Sequence, residues 1–206
     1  MESSKVLIDG DIVAYRSAAS LESEYFKDAV CSDLKLYKYK QDHHEVFVKG
    51  YKFWAAGTTK LERHLDKSMK YIIDKTVRSL DSGLYQVYLT GSDNFRYKVA
   101  KSFPYKETRK STPKPVDLPK ARAYLVKHFG AIISEGEEAD DLIAIEATRC
   151  GPTTIVASVD KDMLQIPCRH FNLTKGSWTT VSKLSGLKFF YTQILTGDVS
   201  DNIKGV

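Results

Sequence analysis

An α/β fold, a mostly parallel sheet with helices on both faces, is what this sequence predicts, and three observations carry that reading. Short β-branched or apolar runs alternate with helix-periodic stretches. The apolar share, 42% of 206 residues, suffices for one such core and is too small for two large domains. Acidic clusters recur directly after the strand-like runs, where open parallel sheets gather their ligands.

The first strand is predicted at Val6–Asp9 (VLID), followed by helix-like spacing over 12–20. Further strands are expected at 86–90 (QVYLT), 131–134 (AIIS) and 154–158 (TIVAS), and helices at 60–80, 118–129, 139–150 and 187–195. The stretch 33–75 interleaves lysines with Tyr37, Tyr39, Phe47, Tyr51, Phe53 and Trp54 and fits the alternation poorly. It reads as an insertion, part hairpin and part helix, within a single domain spanning 1–206. In 94–117 a basic arch or loop is expected, because Pro104, Pro113 and Pro115 there, and Pro119 just beyond, disfavour one continuous helix.

Composition excludes several classes. Charged residues make up 28% and no apolar run approaches the roughly 20 residues of a bilayer span, so a disordered chain and a membrane partner are not expected. Met1 to Lys5 lead straight into a strand, which predicts no secretory leader. Cys31, Cys150 and Cys168 have unrelated spacings and suggest neither a disulfide framework nor a zinc site, so a reducing, cytoplasmic location is expected. His43, His44 and His64 lack paired ligands at zinc spacing.

The net charge of +5 hides an asymmetry. Eight acids fall in four places: Asp9, then Glu138, Asp140 and Asp141, then Asp160 and Asp162, then Asp198 and Asp201. The other 18 acids face 31 Lys and Arg, a balance of +13 on the remainder. A basic protein with an acidic focus suits a polyanion and a metal that bridges to it. Carboxylates gathered at one sheet edge can hold two hard divalent cations, Mg²⁺ or Mn²⁺, about 4 Å apart for phosphodiester displacement. One such cluster alone would read as a helix start. From Arg96 to Lys114 run seven Lys or Arg with Phe95, Tyr97, Phe103 and Tyr105 beside or among them. Cations for phosphates beside faces for bases suit single-stranded nucleic acid, although a basic surface loop has the same composition.

The motifs IDGD, LTGSDNFR, SFPYKETRK, EEADD, SVDKDMLQIP and TGDVSDNIKGV, in that order, resemble the 5′-nuclease family. The family includes flap endonucleases, the nuclease domain of DNA polymerase I and the 5′-to-3′ exonucleases of T-seven-like phages. The resemblance implies a resolvase-like (PIN-like) sheet, two divalent cations and a basic helical arch that cut DNA near a 5′ end or flap in phage replication or recombination, in the host cytoplasm. It implies that Asp9, Asp140, Asp141 and Asp160, supported by Glu138, hold one metal. Asp160, Asp162, Asp198 and Asp201 would hold the other. Lys106 would reach the scissile phosphate with Arg109 behind it, while Arg96, Lys98, Lys101, Tyr105, Lys110 and Lys114 would contact nucleic acid. Tyr105 either stacks a base or packs the arch foot. Asp11 is expected in an outer shell or as a helix cap, Trp54 and Trp178 in packing, and Lys161 beside phosphate or in solvent.

Two departures from the family pattern stand out. Where relatives carry a ligating aspartate after the second strand this chain has Gly91, with Asp93 as the substitute ligand two residues on. At DNIKGV relatives open a helix-hairpin-helix element, so a fragment, a complementing C-terminal segment or replication proteins as partners, or reduced duplex grip are all expected readings. Two other functions fit parts of the pattern: a non-catalytic nucleic-acid-binding homologue, and a haloacid-dehalogenase-like phosphatase in which Asp9 would be the nucleophile.

Overall fold

A computed structural model describes residues 5–28, 58–80, 83–100, 105–106, 114–198 and 201–206. Six strands form one sheet in the order β3-β2-β1-β4-β5-β6. They are β1 (Val6–Asp9), β2 (Tyr85–Leu89), β3 (Ile132–Ile133), β4 (Ile155–Ser158), β5 (Arg169–Asn172) and β6 (Trp178–Thr180). The first five are parallel, and β6 turns back antiparallel on β5. The α/β class and the parallel sheet read from the sequence are therefore present.

Alternation along each strand divides the core into two layers. Val6 and Ile8, Val87 and Leu89, and Ile155 and Ala157 face one side, while Leu7, Tyr88 and Val156 face the other. The first layer is closed by α1 (Gly10–Asp28), α2 (Thr58–Thr76, continued by a 3₁₀ turn at Val77–Ser79) and, after the short α3 (Arg96–Val99), by α4 (Leu118–Phe129). The second is closed by α5 (Ala139–Cys150), with Met163 and Ile166 from and beside a 3₁₀ helix at Lys161–Gln165. The last helix, α6 (Lys183–Thr196), packs on that 3₁₀ helix and leads into a small antiparallel pair, β7 (Gly197–Asp198) with β8 (Ile203–Lys204).

Local chemistry sets the helix ends. Pro119 sits in the first turn of α4, where a missing N–H is tolerated, and Gly130 closes the helix at φ 61°. Asp141 accepts a 3.0 Å bond from the Glu138 amide at the start of α5, and Ser182 accepts from Ser185 N at the start of α6. At Gly10 any Cβ would lie 2.7 Å from the Tyr88 carbonyl oxygen, so α1 can begin flush against β2 only because position 10 has no side chain.

The helical part of the 33–75 stretch, expected as helix, contributes to the core: Leu61, Leu65, Met69 and Ile72 of α2 are buried at helical spacing in the first layer. Residues 33–57 lie outside the described residues. The sequence reading needs correction in its strands: β5 and β6 have no counterpart there, and the third strand shrinks from four residues to two. No helix among the described residues is long and apolar enough to cross a membrane.

Because Leu65 is fully buried between α2 and the sheet, Leu65→Ala should destabilise the protein by about 2–5 kcal/mol. Urea unfolding monitored by circular dichroism measures this, and a loss below about 1 kcal/mol would show that α2 is not part of the cooperative core.

Candidate active site

The strand order reverses between β1 and β4, and a crevice opens beyond the carboxyl ends of strands at such a switch point. A cavity of about 440 Å³ lies at this edge. Seven of the eight singled-out acids line it: Glu138, Asp140 and Asp141 from the start of α5, Asp160 and Asp162 from the turn after β4, and Asp198 and Asp201 from the β7–β8 pair. Asp9, at the end of β1, is only 4% exposed and does not line the cavity. Its Oδ2 accepts from Ser158 Oγ at 2.8 Å and its Oδ1 from Ile12 N at 3.2 Å.

Like charges so arranged resist ionisation together. Burial pushes the Asp140 carboxyl up to about 8, with Asp9, Asp160 and Glu138 adding repulsion and Lys106 partly offsetting it. Burial likewise raises Asp9 to about 6; the Ser158 and Ile12 hydrogen bonds oppose the rise, and Asp11 and Asp160 add to it. Asp162 is raised by burial and by Asp160 and Asp198, against a 2.5 Å bond from Gln193 Nε2.

Internal cations and donors occupy the remaining acids. Arg96 grips Asp141 through two bonds of 2.5 and 2.7 Å; although burial raises this carboxyl, the guanidinium and the Glu138 amide hold it below its ordinary value. Lys106 Nζ lies 2.7 Å from Glu138, and Lys161 Nζ lies 3.0 Å from Asp198. Tyr105 is buried with its one hydroxyl proton between two acceptors, Glu138 at 2.9 Å and Asp201 at 3.1 Å, and the hydroxyl is pushed up by burial and then by those two acids. Lys106 sits at φ 53°, a left-handed backbone uncommon for a residue with a side chain, and its amide bonds the Asp201 carbonyl at 3.3 Å. Among the described residues no three His, Cys, Asp or Glu side chains are grouped as a ready-made metal site. The donor set is nonetheless entirely carboxylate oxygen, which suits a hard cation, and its mutual repulsion is the property a bound cation would relieve.

Several sequence-predicted residues stand elsewhere or do other work. Asp93 is exposed beside Lys98 at 3.5 Å and does not reach the cavity. Gly91 cannot be exchanged for a ligand without moving the chain, because a Cβ there would lie 2.0 Å from the Ser134 carbonyl oxygen. Arg96 is engaged with Asp141, and Tyr105 packs at the cavity wall in place of offering an exposed stacking face. Asp11 neither caps a helix nor joins the acids: it pairs with Arg122 and accepts from Thr90 N at 2.8 Å. Trp178 packs on Phe171 and under Arg169. Lys98 and Lys114 are exposed, and Lys101, Arg109 and Lys110 lie outside the described residues. The sequence reading missed Ser158 and Gln193, which orient Asp9 and Asp162, and Phe190, Met163, Ile166 and Ile194, which give the cavity an apolar wall. Helical spacing in 187–195 was the signal that could have brought α6 to this edge.

No protein-family model matches the chain, and no curated protein matches it.

A carboxyl whose folded pKa lies above its unfolded one binds its proton more tightly when folded, so that stability is full below the unfolded value and is lost as pH rises toward about 8. In metal-free protein Asp140→Asn should therefore match its parent in acid and exceed it increasingly from pH 5 to 8, each kcal/mol relieved raising Tm by about 2–4 °C. Thermal melts across that range measure it; a gap that does not widen with pH would mean that Asp140 is not the strained acid.

Proposed function

We propose that this chain is a divalent-metal-dependent nuclease of 5′-nuclease type, on a PIN-like variant of the α/β fold, hydrolysing DNA phosphodiesters near 5′ ends as a 5′-to-3′ exonuclease or flap endonuclease. One observation carries the reading. Acids from three segments, 138–141, 160–162 and 198–201, meet at a single switch-point cavity that also receives Lys106 and Arg96, and the buried Asp9 lies close enough to Asp140 to repel it. Six motifs in the family's order support it.

In this reading Asp140, Asp160 and Asp9 hold one cation and Asp160, Asp162, Asp198 and Asp201 the other, with Glu138 and Asp141 as their supports. When bound, the cations supply charge neutralisation and activation of water for in-line attack on phosphorus. Lys106 exchanges Glu138 for the scissile phosphate and stabilises charge that develops on it. Arg96 keeps Asp141, and with it the first turn of α5, in place. The apolar wall at Phe190 and Ile194 excludes water on one side and offers a face to a nucleobase. Position 91 could offer no side-chain ligand, since a Cβ there would meet the Ser134 carbonyl oxygen, so that donor would have to come from solvent. The phosphatase reading lacks such support, because Asp11, the second acid of its Asp-x-Asp pair, is locked against Arg122.

With Mg²⁺ or Mn²⁺, 5′-labelled DNA should be degraded from its labelled end, and excess chelator should stop the reaction. Asp160→Ala should lower kcat at least about a hundredfold, and Lys106→Ala a comparable amount. DNA binding with no cleavage under any metal would select a non-catalytic homologue, and turnover of p-nitrophenyl phosphate but not DNA a phosphatase.

A further inference from the structure

A second cavity, about 550 Å³, lies between α1, α2 and the turn that joins β5 to β6. It shares no residue with the acidic cavity. We propose that it binds the phosphate group of a nucleotide, either free or within a strand.

Three cations reach it from three separate elements: Arg16 from α1, Lys67 from α2 and Lys175 from the turn. Among the described residues no carboxylate lines it, and neither lysine has an acidic partner there. Three like charges around one concavity repel, and an arriving dianion removes that repulsion while accepting their hydrogen bonds. Arg16 is already positioned: one terminal nitrogen donates to the Leu173 carbonyl at 2.9 Å and to Thr174 Oγ1 at 3.0 Å. That leaves the rest of its planar donor fork for an oxyanion. The turn itself is held against α2, since a Cβ at Gly176 would meet the Tyr71 hydroxyl at 3.0 Å.

The remaining lining suits the rest of a nucleotide. Ser68 presents a hydroxyl, Ser20 and His64 share a 3.3 Å hydrogen bond at the wall, and the Tyr71 ring, 46% exposed, offers a face on which a base can stack. The volume falls within the roughly 300–1,000 Å³ usual for small-ligand sites. A bare phosphate would leave most of it empty, so the nucleoside is part of the fit. The proposal does not depend on nuclease activity, because Arg16, Lys67 and Lys175 all lie outside the acidic cavity.

The test is an amide-resolved NMR titration of the full chain with inorganic phosphate and with adenosine 5′-monophosphate, beside anisotropy of a labelled single-stranded oligonucleotide. Saturable shifts at Ser68, Thr174 and Gly176 are expected, tighter for the nucleotide than for phosphate. The double substitution K67Q/K175Q should weaken binding by about tenfold or more with Tm unchanged; should it fold poorly, K175Q in the exposed turn replaces it. Loss for all three probes identifies a strand phosphate as the ligand, with a shallower salt dependence of oligonucleotide binding. Loss for the small probes alone identifies a free nucleotide. Absence of shifts at these amides, or a variant that binds every probe as its parent does, overturns the proposal.

Discussion

Mutual repulsion among carboxylates buried at the carboxyl ends of β1 and β4 is the constraint around which this edge of the protein is organised. An ionised acid there meets both desolvation and its neighbours' charge. The chain answers residue by residue: Asp140 retains a proton into neutral pH, Asp9 accepts two hydrogen bonds, and Glu138, Asp141 and Asp198 each take a Lys or Arg. This accounts for the lack of a preassembled ion site among the described residues, since side chains that repel one another and find separate partners are drawn apart. The partners differ in what displacing them requires. Arg96 holds Asp141 through two charge-assisted bonds, whereas Lys106 holds Glu138 through a single flexible ammonium on a strained backbone. Lys106 is thus held to its acid less firmly than Arg96.

The sheet makes this convergence possible by backbone proximity as much as by side-chain choice. β1 lies at the centre, so its end is flanked by β2 on one side and β4 on the other. α1 must leave directly from that end, and Gly10 lets it do so against the Tyr88 carbonyl. At the end of β2 the chain passes so close to Ser134 that Gly91 has no room for any side chain, and the Gly91 amide bonds Ser134 Oγ at 3.0 Å. The same tightness that brings the start of α5 beside β1 removes a ligand position from β2. Thr90, one residue earlier, completes the join: its hydroxyl accepts from Ala139 N at 3.1 Å and its own amide bonds Asp11.

Much of this was legible in the sequence, for identifiable reasons. The central strands are continuous apolar runs because both faces are covered, and α4 and α5 were bounded correctly by Pro119, Gly130 and the acids that open α5. β5 was not, since Arg169, His170 and Asn172 interrupt its apolar character; His170 is nonetheless buried, bonded to the Ile166 carbonyl at 2.9 Å. β6 is a three-residue exposed edge whose one apolar residue, Trp178, is too little to mark a strand. The acids of the site were legible because charge at strand ends is informative. Their partners were not: whether Arg96 and Tyr105 face solvent or bond acids 45 and 33 residues away depends on packing that no local pattern records.

The separation of charge read from composition takes spatial form in the two cavities. One collects nearly all the clustered acids, and the other is lined by cations with no acid among the described residues. They are neighbours through the backbone: Ile12 lines the cationic cavity and donates its amide to Asp9, while Leu173, another lining residue, bonds the carbonyl of Ser158, whose hydroxyl holds the same aspartate. A phosphate seated among Arg16, Lys67 and Lys175 would place negative charge on one side of Asp9 while the acids hold it on the other. Coulomb's law fixes the sign of the result. Each additional negative charge makes a cation at the acidic edge more favourable, and by linkage a cation there favours the phosphate. Two cavities that share no lining residue are thus joined by hydrogen bonds that end on one buried carboxylate.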